Sequence, residues 1–598
     1  MSFFRFISRL RGSERWVCAA AGVSIGSKLD ERPMPTLLER KLRDKVEETS
    51  SKDKKNKVKD RGIKVPQVCP TYKPCERECT GGPKLPEDTC INDVKDKASE
   101  QLNEYKKAHQ AVTYVTAGTG TAVGNKSSVL TAGLKGPIML QDFVFLDEIA
   151  HFNREKIAER AVGAKGAGAF GVFDVTDEIS KYCKASIFGK SGKKTQVAVR
   201  FSNTVTENGA TDSIREPKGI SIKFYAEDGV WDFVGYNIPV YSIKDPMMFP
   251  SLMHSLRRNP VTHLYDADMF WDFVASRPET IHQILFLFSS RGIPYGYRYA
   301  HYYGVNTYKM VNKNGEVFYC KFHLKSNQGI NNFTNAMAEV CSGTVPNYAI
   351  QDLYNAIAEK VFPTWTMYIQ VMTLEEAEAI SSEFDPLDAT KVWPHRSFPL
   401  IQVGRLTLNR NPKNYFTDVE QIAFSPAHMI PGIEPSPDKI LQGRLFAYSD
   451  AQRHRLGANY LQIPVNTSPV AKVKNYQRDG QMCVDTNQEG APNYFPNCFN
   501  GPIEKPGLTD GVTMLNDPEV QRTPPEPENF DQPRTFYTEV LDNEEKAILT
   551  RNIAEHLTDA HYCIQQRVLE LLNQVDSDLG KKVEEQLVKV AKNSPKFE

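Results

Sequence analysis

The stretch LQGRLFAYSDAQRHRLGANYLQIPVN runs from Leu441 to Asn466. Its decisive pair is Arg444 and Tyr448, four residues apart, which share one face if the segment is helical. A phenol titrates near pH ~10, and a guanidinium beside it favours the anion, because opposite charge stabilises the ionised form. Tyrosinate is a hard anionic ligand for ferric iron, so Arg and Tyr one turn apart can form an iron–tyrosinate device. The same pair also suits a surface Arg–Tyr stack, and spacing alone does not separate the two readings.

Upstream of this stretch the chain has the texture of strands. TQVAVRFSN, GISIKFYAED, WDFVGYNIPVYSI, TYKMVNKNGEVFYCKFHLK and TWTMYIQVMT are β-branched and aromatic runs bounded by turn residues. VNKNGEVF carries Asn-Gly, a strong hairpin signal. Such strands in succession predict an antiparallel sheet closed as a barrel, with helices such as NYAIQDLYNAIAEKVF between them. Residues 505–535 are Pro-rich and extended in pattern. From 540 to 592 apolar residues return at helical spacing. The expected class is α+β.

The 598 residues carry 73 Lys/Arg against 73 Asp/Glu, so no global charge draws the chain to nucleic acid. No apolar run is long enough to predict a transmembrane helix. The charge is uneven, however, with 17 Lys/Arg against 9 Asp/Glu in residues 1–66. On a helix, Phe3, Phe4, Ile7 and Leu10 share a face opposite Arg5 and Arg9, which predicts a mitochondrial targeting segment over 1–27. Peroxisomal or cytoplasmic residence is the alternative, although the terminal NSPKFE is not a peroxisomal SKL-type address. Residues 28–91 form a charged and Cys/Pro-rich extension, partly disordered in composition. Residues 92–500 form the core, and 501–598 a Pro-rich connector and C-terminal helical region. Four of the 11 cysteines, Cys69, Cys75, Cys79 and Cys90, cluster at a spacing that fits no common zinc template. A structural or inter-chain role in a larger assembly, and unpaired thiols, both remain open.

RLFAYSDAQRHRLGANY resembles the proximal ligand signature of the haem catalases, with every signature position filled. The resemblance extends through QDFVFLDEIAHFNREKIAER, AKGAGAFG, HSLRRNPVTHL, WTMYIQVMT, PLIQVGRLTLNRNP and YQRDG, from about residue 92 into the C-terminal helices. It is nearest the small-subunit animal catalases. The resemblance implies a homotetramer built on a β-barrel, a wrapping segment and a C-terminal helical domain. It also implies haem b as cofactor and hydrogen peroxide as substrate. Tyr448 then matches the axial iron ligand and Arg444 the group that keeps it ionised. Arg160, Arg200 and Arg455 match the arginines that hold the haem propionates, Phe249 the aromatic stacked on the distal side, and Ser202 the serine behind the distal histidine. His282, Phe286, Ser289, Arg291, Lys325, Val392, Trp393 and His395 match a surface NADPH site, where His301 replaces another polar contact.

The distal side departs from the family. Gly163, in ERAVGAKG, stands where the catalytic histidine is expected, and Tyr236 where an asparagine is expected, with Asn237 next to it. Tyr241 replaces a phenylalanine of the pocket wall, and Leu252 a second channel aromatic. Glycine has no titratable group, and a tyrosine is a base in roughly one molecule per thousand near neutral pH. Losing a positioned general base costs about 10²–10⁴-fold. The expectation is a haem-binding catalase homologue with absent or greatly reduced peroxide decomposition. The alternative is an active catalase or peroxidase with a modified pocket. Tyr236 is expected over the iron as a donor or sixth ligand, or simply as a plug.

Overall fold

Strand alternation appears where the β-branched and aromatic runs predict it, in the computed structural model that describes residues 96–508, 510–511, 520–525 and 527–593. The proposed targeting segment, the charged extension and the four clustered cysteines lie outside these described residues.

Among the described residues ten strands occur in chain order: β1 (Gly166–Val175), β2 (Lys194–Asn203), β3 (Lys218–Ala226), β4 (Gly229–Tyr236), β5 (Tyr302–Tyr303), β6 (Tyr308–Val311), β7 (Val317–Ser326), β8 (Thr364–Thr373), β9 (Ile401–Arg410) and β10 (Ile433–Pro435). All pairings among them are antiparallel. The ladder runs β7-β5-β4-β3-β2-β1-β9-β8, and β8 then pairs with β7 at Cys320↔Val371, closing an eight-stranded barrel. The expected barrel and α+β class are therefore found. Closure leaves these strands without a free edge to pair with other chains. Alternate side chains fill the interior, among them Phe173, Phe201, Phe224, Trp231 and Trp365, all essentially inaccessible. Each such side chain contributes about 1.5–3 kcal/mol relative to exposure.

The helix Lys439–Leu456 lies against this barrel and carries the stretch first quoted. Asp438 caps it, accepting from the Leu441 amide at 2.9 Å, while its other oxygen accepts from Asn306 and Thr307 at the start of β6. Gly457, at φ +93°, ends it in a conformation that costs an L side chain strain, and its amide returns to the Arg453 carbonyl at 2.9 Å. A buried ion pair supports the same helix. Lys223 and Asp232 face each other across β3 and β4 at 2.8 Å, and Asp232 also binds His428 at 2.7 Å and the Ser425 amide at 3.0 Å. Ser425 then meets Ser449, the neighbour of Tyr448, at 3.1 Å.

A second core joins Asn543–Leu557, Tyr562–Val575 and Ser577–Asn593 to the helices Ala267–Ser276 and Ile281–Phe288. Over 505–535, expected to be extended, residues 520–525 form no regular element and Asp531–Thr535 is a short helix. The helices Lys97–Ala108 and Phe143–Phe152 bury no residue, and Leu134, Leu140 and Phe152 stand exposed along this arm. No helix among the described residues is long and apolar enough to cross a membrane.

Candidate functional site

The helix Lys439–Leu456, the ends of β2 to β4 and residues 160–163 enclose a cavity of about 220 Å³. The shared face predicted for Arg444 and Tyr448 points into it. Arg444 Nη2 donates to the Tyr448 hydroxyl at 3.2 Å and to the Val234 carbonyl at 3.1 Å, and Nη1 donates to Asn306 Oδ1. Burial opposes the Arg444 charge, but the phenols of Tyr448, Tyr236, Tyr308 and Tyr241 around it hold its pKa above the ordinary value. Its buried Nε has no hydrogen-bond partner.

Arg160, Arg200 and Arg455 form one rim of the cavity, all buried. Arg160 Nη2 donates to the carbonyls of Val419, Glu420 and Ile422, each at 2.9 Å. Arg160 and Arg455 share the Glu420 carboxylate, each at 3.3 Å. Arg200 spends both terminal nitrogens on the carbonyls of Gly163 and Ala164, at 2.7 Å each. The Nε atoms of Arg200 and Arg455 are buried without partners. Burial and the mutual repulsion of the guanidiniums push Arg160 well below its usual pKa. Three buried cations against one carboxylate, with orphaned N–H groups, make this rim a receptor for further negative charge. Glu420 was not singled out from sequence.

The opposite wall is made of Val162, Gly163, Ser202, Tyr236, Tyr241 and Phe249. Gly163 sits at φ +76°, its amide donates to the Thr204 carbonyl at 2.8 Å, and a Cβ added there would lie 3.0 Å from Ser202 Oγ. The positive φ turns the Gly163 carbonyl to Arg200, so the backbone has taken a shape that an L side chain rarely adopts. Tyr236 ends β4 opposite Gly219, and its ring is 6.2 Å from that of Tyr241. Its hydroxyl lies within hydrogen-bonding reach of the Tyr448 hydroxyl. Burial first, then the neighbouring phenols Tyr448 and Tyr241, push Tyr236 well above the usual tyrosine range, and burial does the same to Tyr241. Neither hydroxyl is thereby suited to act as a base near neutral pH.

Asn237 does not replace the missing amide. Its Oδ1 accepts from the Lys218 amide at 2.7 Å and its own amide donates to the Lys218 carbonyl at 2.9 Å, which fixes the end of the β3–β4 ladder and keeps it out of the lining. His151 is exposed on the helix Phe143–Phe152, and no histidine lines this cavity among the described residues.

The second predicted set is divided. His282, Ser289 and Trp393 are buried and already partnered: His282 Nδ1 with the Thr390 carbonyl at 2.8 Å, Ser289 Oγ with the Phe286 carbonyl at 2.7 Å, and Trp393 Nε1 with the Pro386 carbonyl at 3.1 Å. Burial, against the Thr390 bond, lowers His282 to about 4. Phe286 packs on Phe536 at 4.1 Å, and the Val392 amide donates to Gln532 at 2.8 Å. Lys325 and Arg291 form a cationic pair beside His301 and His395. Burial and the Arg291 charge lower Lys325 to about 8, while burial and Lys325 lower His301 to about 4. His395 is lowered by burial and by Lys325.

The likeness to known proteins is extensive. The family model described as Catalase matches residues 116–501, and the one described as Catalase-related immune-responsive matches residues 523–587. Catalase from Cavia porcellus is 51% identical over 506 residues, 84% of this chain and 96% of that protein. Catalase from Drosophila melanogaster is 52% identical over 505 residues, 84% of this chain and 99% of that one. Among solved structures, a fungal catalase superposes with a TM-score of 0.78 at 42% identity, covering 80% of this chain and 98% of its own. Catalase A from Saccharomyces cerevisiae does so with a TM-score of 0.77 at 41% identity, covering 79% and 99%. By barrel, cavity and sequence, this chain belongs to the catalase family.

Proposed function

We propose that the chain is a haem-binding protein of the hydrogen-peroxide-decomposing family that has kept the anchoring side of the site and lost the side that moves protons. Catalases generally bind haem, and the residues present fit that group. The partnerless Nε atoms of Arg200, Arg444 and Arg455 are buried donors around one cavity, and arginine forks suit carboxylates such as propionates. In this reading Tyr448 holds the iron of haem b and Arg444 keeps its phenol ionised. Arg160, Arg200 and Arg455 bind the propionates, with Phe249 on the far face. When bound, the haem supplies the redox-active iron that peroxide meets in this family.

The chain's own part is then limited by what it can do with a proton. A base beside the peroxide must take a proton from one oxygen and return it to the other. Gly163 offers no group, and Tyr236 and Tyr241 are held protonated by burial. They can donate a hydrogen bond but not accept the proton. The observation that carries the reading is the cavity wall: Gly163 at φ +76° with tyrosines and no histidine beside it. Peroxide decomposition is accordingly absent or slowed by about 10²–10⁴-fold, leaving a structural or haem-binding role.

The test measures haem content, the optical spectrum and oxygen evolution from peroxide on one purified sample. Stoichiometric haem with slow oxygen evolution supports the reading. Fast turnover overturns it and favours the alternative, an active catalase or peroxidase working through the tyrosine-lined pocket. In that alternative Tyr236 acts as donor to the bound oxidant. A spectrum of open, cyanide-accessible five-coordinate iron rules out Tyr236 as a sixth ligand and leaves it as donor or plug.

NADPH binding is supported by the cationic pair Lys325 and Arg291, and quenching of added NADPH fluorescence tests it. Catalases are typically tetramers, and the exposed apolar arm favours a homotetramer, which a mass measurement in solution checks. A mitochondrial address and a larger assembly through Cys69, Cys75, Cys79 and Cys90 follow from the sequence pattern alone, and import assays and non-reducing electrophoresis address them.

A further inference from the structure

A second cavity, of about 440 Å³, opens on the far side of Tyr236 and Tyr241 and shares both tyrosines, Val162 and Phe249 with the first. It lies in the size range of small-molecule sites. A water molecule needs about 30 Å³, so a two-oxygen substrate such as peroxide leaves most of this space unfilled. Its wall is mainly apolar, with Phe249, Leu252, Phe270, Phe273, Leu287 and Phe288 prominent.

The charged groups of the inner wall are already engaged. Glu216 accepts from the amides of Val205 and Thr206 at 2.6 and 3.1 Å and from the Thr206 hydroxyl at 2.6 Å. Arg215 donates to the carbonyls of Leu287 and Ser289 at 2.8 and 3.1 Å and to Asn335 at 2.5 Å. Gln283 is held by Ser242 and the Val240 carbonyl. At the other end His556 Nδ1 accepts from Trp271 at 2.9 Å, next to the exposed Asp559. The exposed Arg257, which donates to the Ala161 carbonyl at 2.9 Å, is a cation of this lining without a carboxylate partner among the described residues; deeper in the wall a charged ligand would lose its hydration without a free counter-ion. What remains at the inner end is the Tyr241 phenol, which burial keeps protonated, since the Tyr236 hydroxyl is turned to Tyr448.

We propose that this cavity binds an uncharged, largely apolar organic molecule carrying one acceptor oxygen, such as a medium-chain or aromatic ketone, with that oxygen directed at the hydroxyl of Tyr241. Leu252 shapes the site: an aromatic ring there would fill space that the leucine leaves open. Tyr241 adds the hydroxyl that a phenylalanine lacks. The proposal concerns binding and stands whether or not haem is loaded.

Photolabelling with benzophenone, itself an apolar ketone, tests it on the full chain as purified, with haem content measured on the same sample. Saturable labelling on peptides spanning Phe249–Ser255 and Ile281–Phe288 is expected, displaced by 2-undecanone and not by undecanoate. Leu252→Trp is expected to reduce labelling at least tenfold, and Tyr241→Phe to weaken 2-undecanone competition about fivefold, the usual worth of one hydrogen bond. Labelling that does not saturate or that maps elsewhere overturns the proposal. So does equal displacement by the carboxylate. The two competition experiments use the unmodified chain, so the outcome does not depend on either variant folding.

Discussion

The Tyr448 face and the Gly163 face of the same cavity are built in opposite ways. On the Tyr448 face every functional side chain is braced by a second group: Arg444 by Asn306 and Val234, Arg160 by three carbonyls, Arg455 by Glu420. Its helix is capped by Asp438 and stopped by Gly457, so the chemistry rests on rigid, fully bonded elements. The Gly163 face offers phenols and apolar surface, with its one charged neighbour, Arg200, turned to backbone carbonyls. A site can keep its affinity for a cofactor with the first face alone. Proton transfer to and from a substrate needs the second.

The largest effect tests that asymmetry directly. Gly163→His with Tyr236→Asn restores a base and an amide, and oxygen evolution from peroxide is expected to rise by about 10²–10⁴-fold over wild type. If wild type already turns over fast, and the double variant adds little, the two faces are not functionally opposed.

A change of comparable size is expected in stability on the braced side. Lys223→Met leaves Asp232 buried with His428 as its remaining ionisable partner, and removing one member of such a pair costs about 3–5 kcal/mol. Because Ser425 links this network to Ser449, the loss should also lower haem retention. Denaturant unfolding of Lys223→Met and of Lys223→Met with Asp232→Leu measures the pair. The double variant should recover much of the loss, since an apolar pair leaves no uncompensated charge.

Much of this was readable before any coordinates. β-Branched and aromatic runs between turn residues predicted the barrel strands, and the Arg444–Tyr448 spacing predicted a shared helix face. Glu420 and Asn306 were not foreseen, because their partners lie 35 or more residues away in sequence and pairing across that distance has no local signature. Nor did sequence indicate that Asn237 would be absorbed by the β3–β4 ladder rather than face the cavity. The second cavity was equally hidden, because it is a space between residues contributed by several separate segments.

Ligation should be governed by one face. Tyr448→Phe is expected to reduce haem per chain at least about tenfold, since the phenol oxygen is the ligand in this reading. Tyr236→Phe should leave haem content within about twofold of wild type. The pyridine haemochrome assay reads both. Equal losses in the two variants would mean that Tyr236 shares in holding the cofactor, and the comparison would need to be redrawn with a tyrosine on each side.

The smallest effect concerns how firmly the bare face is set. At φ +76° Gly163 occupies a region where an L side chain costs roughly 1–2 kcal/mol, and its added Cβ would meet Ser202 Oγ at 3.0 Å. Gly163→Ala should therefore destabilise by about that amount in denaturant unfolding, and combining it with Ser202→Gly should relieve the crowding but not the backbone term. A neutral Gly163→Ala would mean that the loop relaxes freely to negative φ. The restored histidine of the first experiment could then be seated without strain. A cost of the expected size means that the loss of the base is written into the backbone as well as the side chain, because the carbonyl that Arg200 holds turns with it.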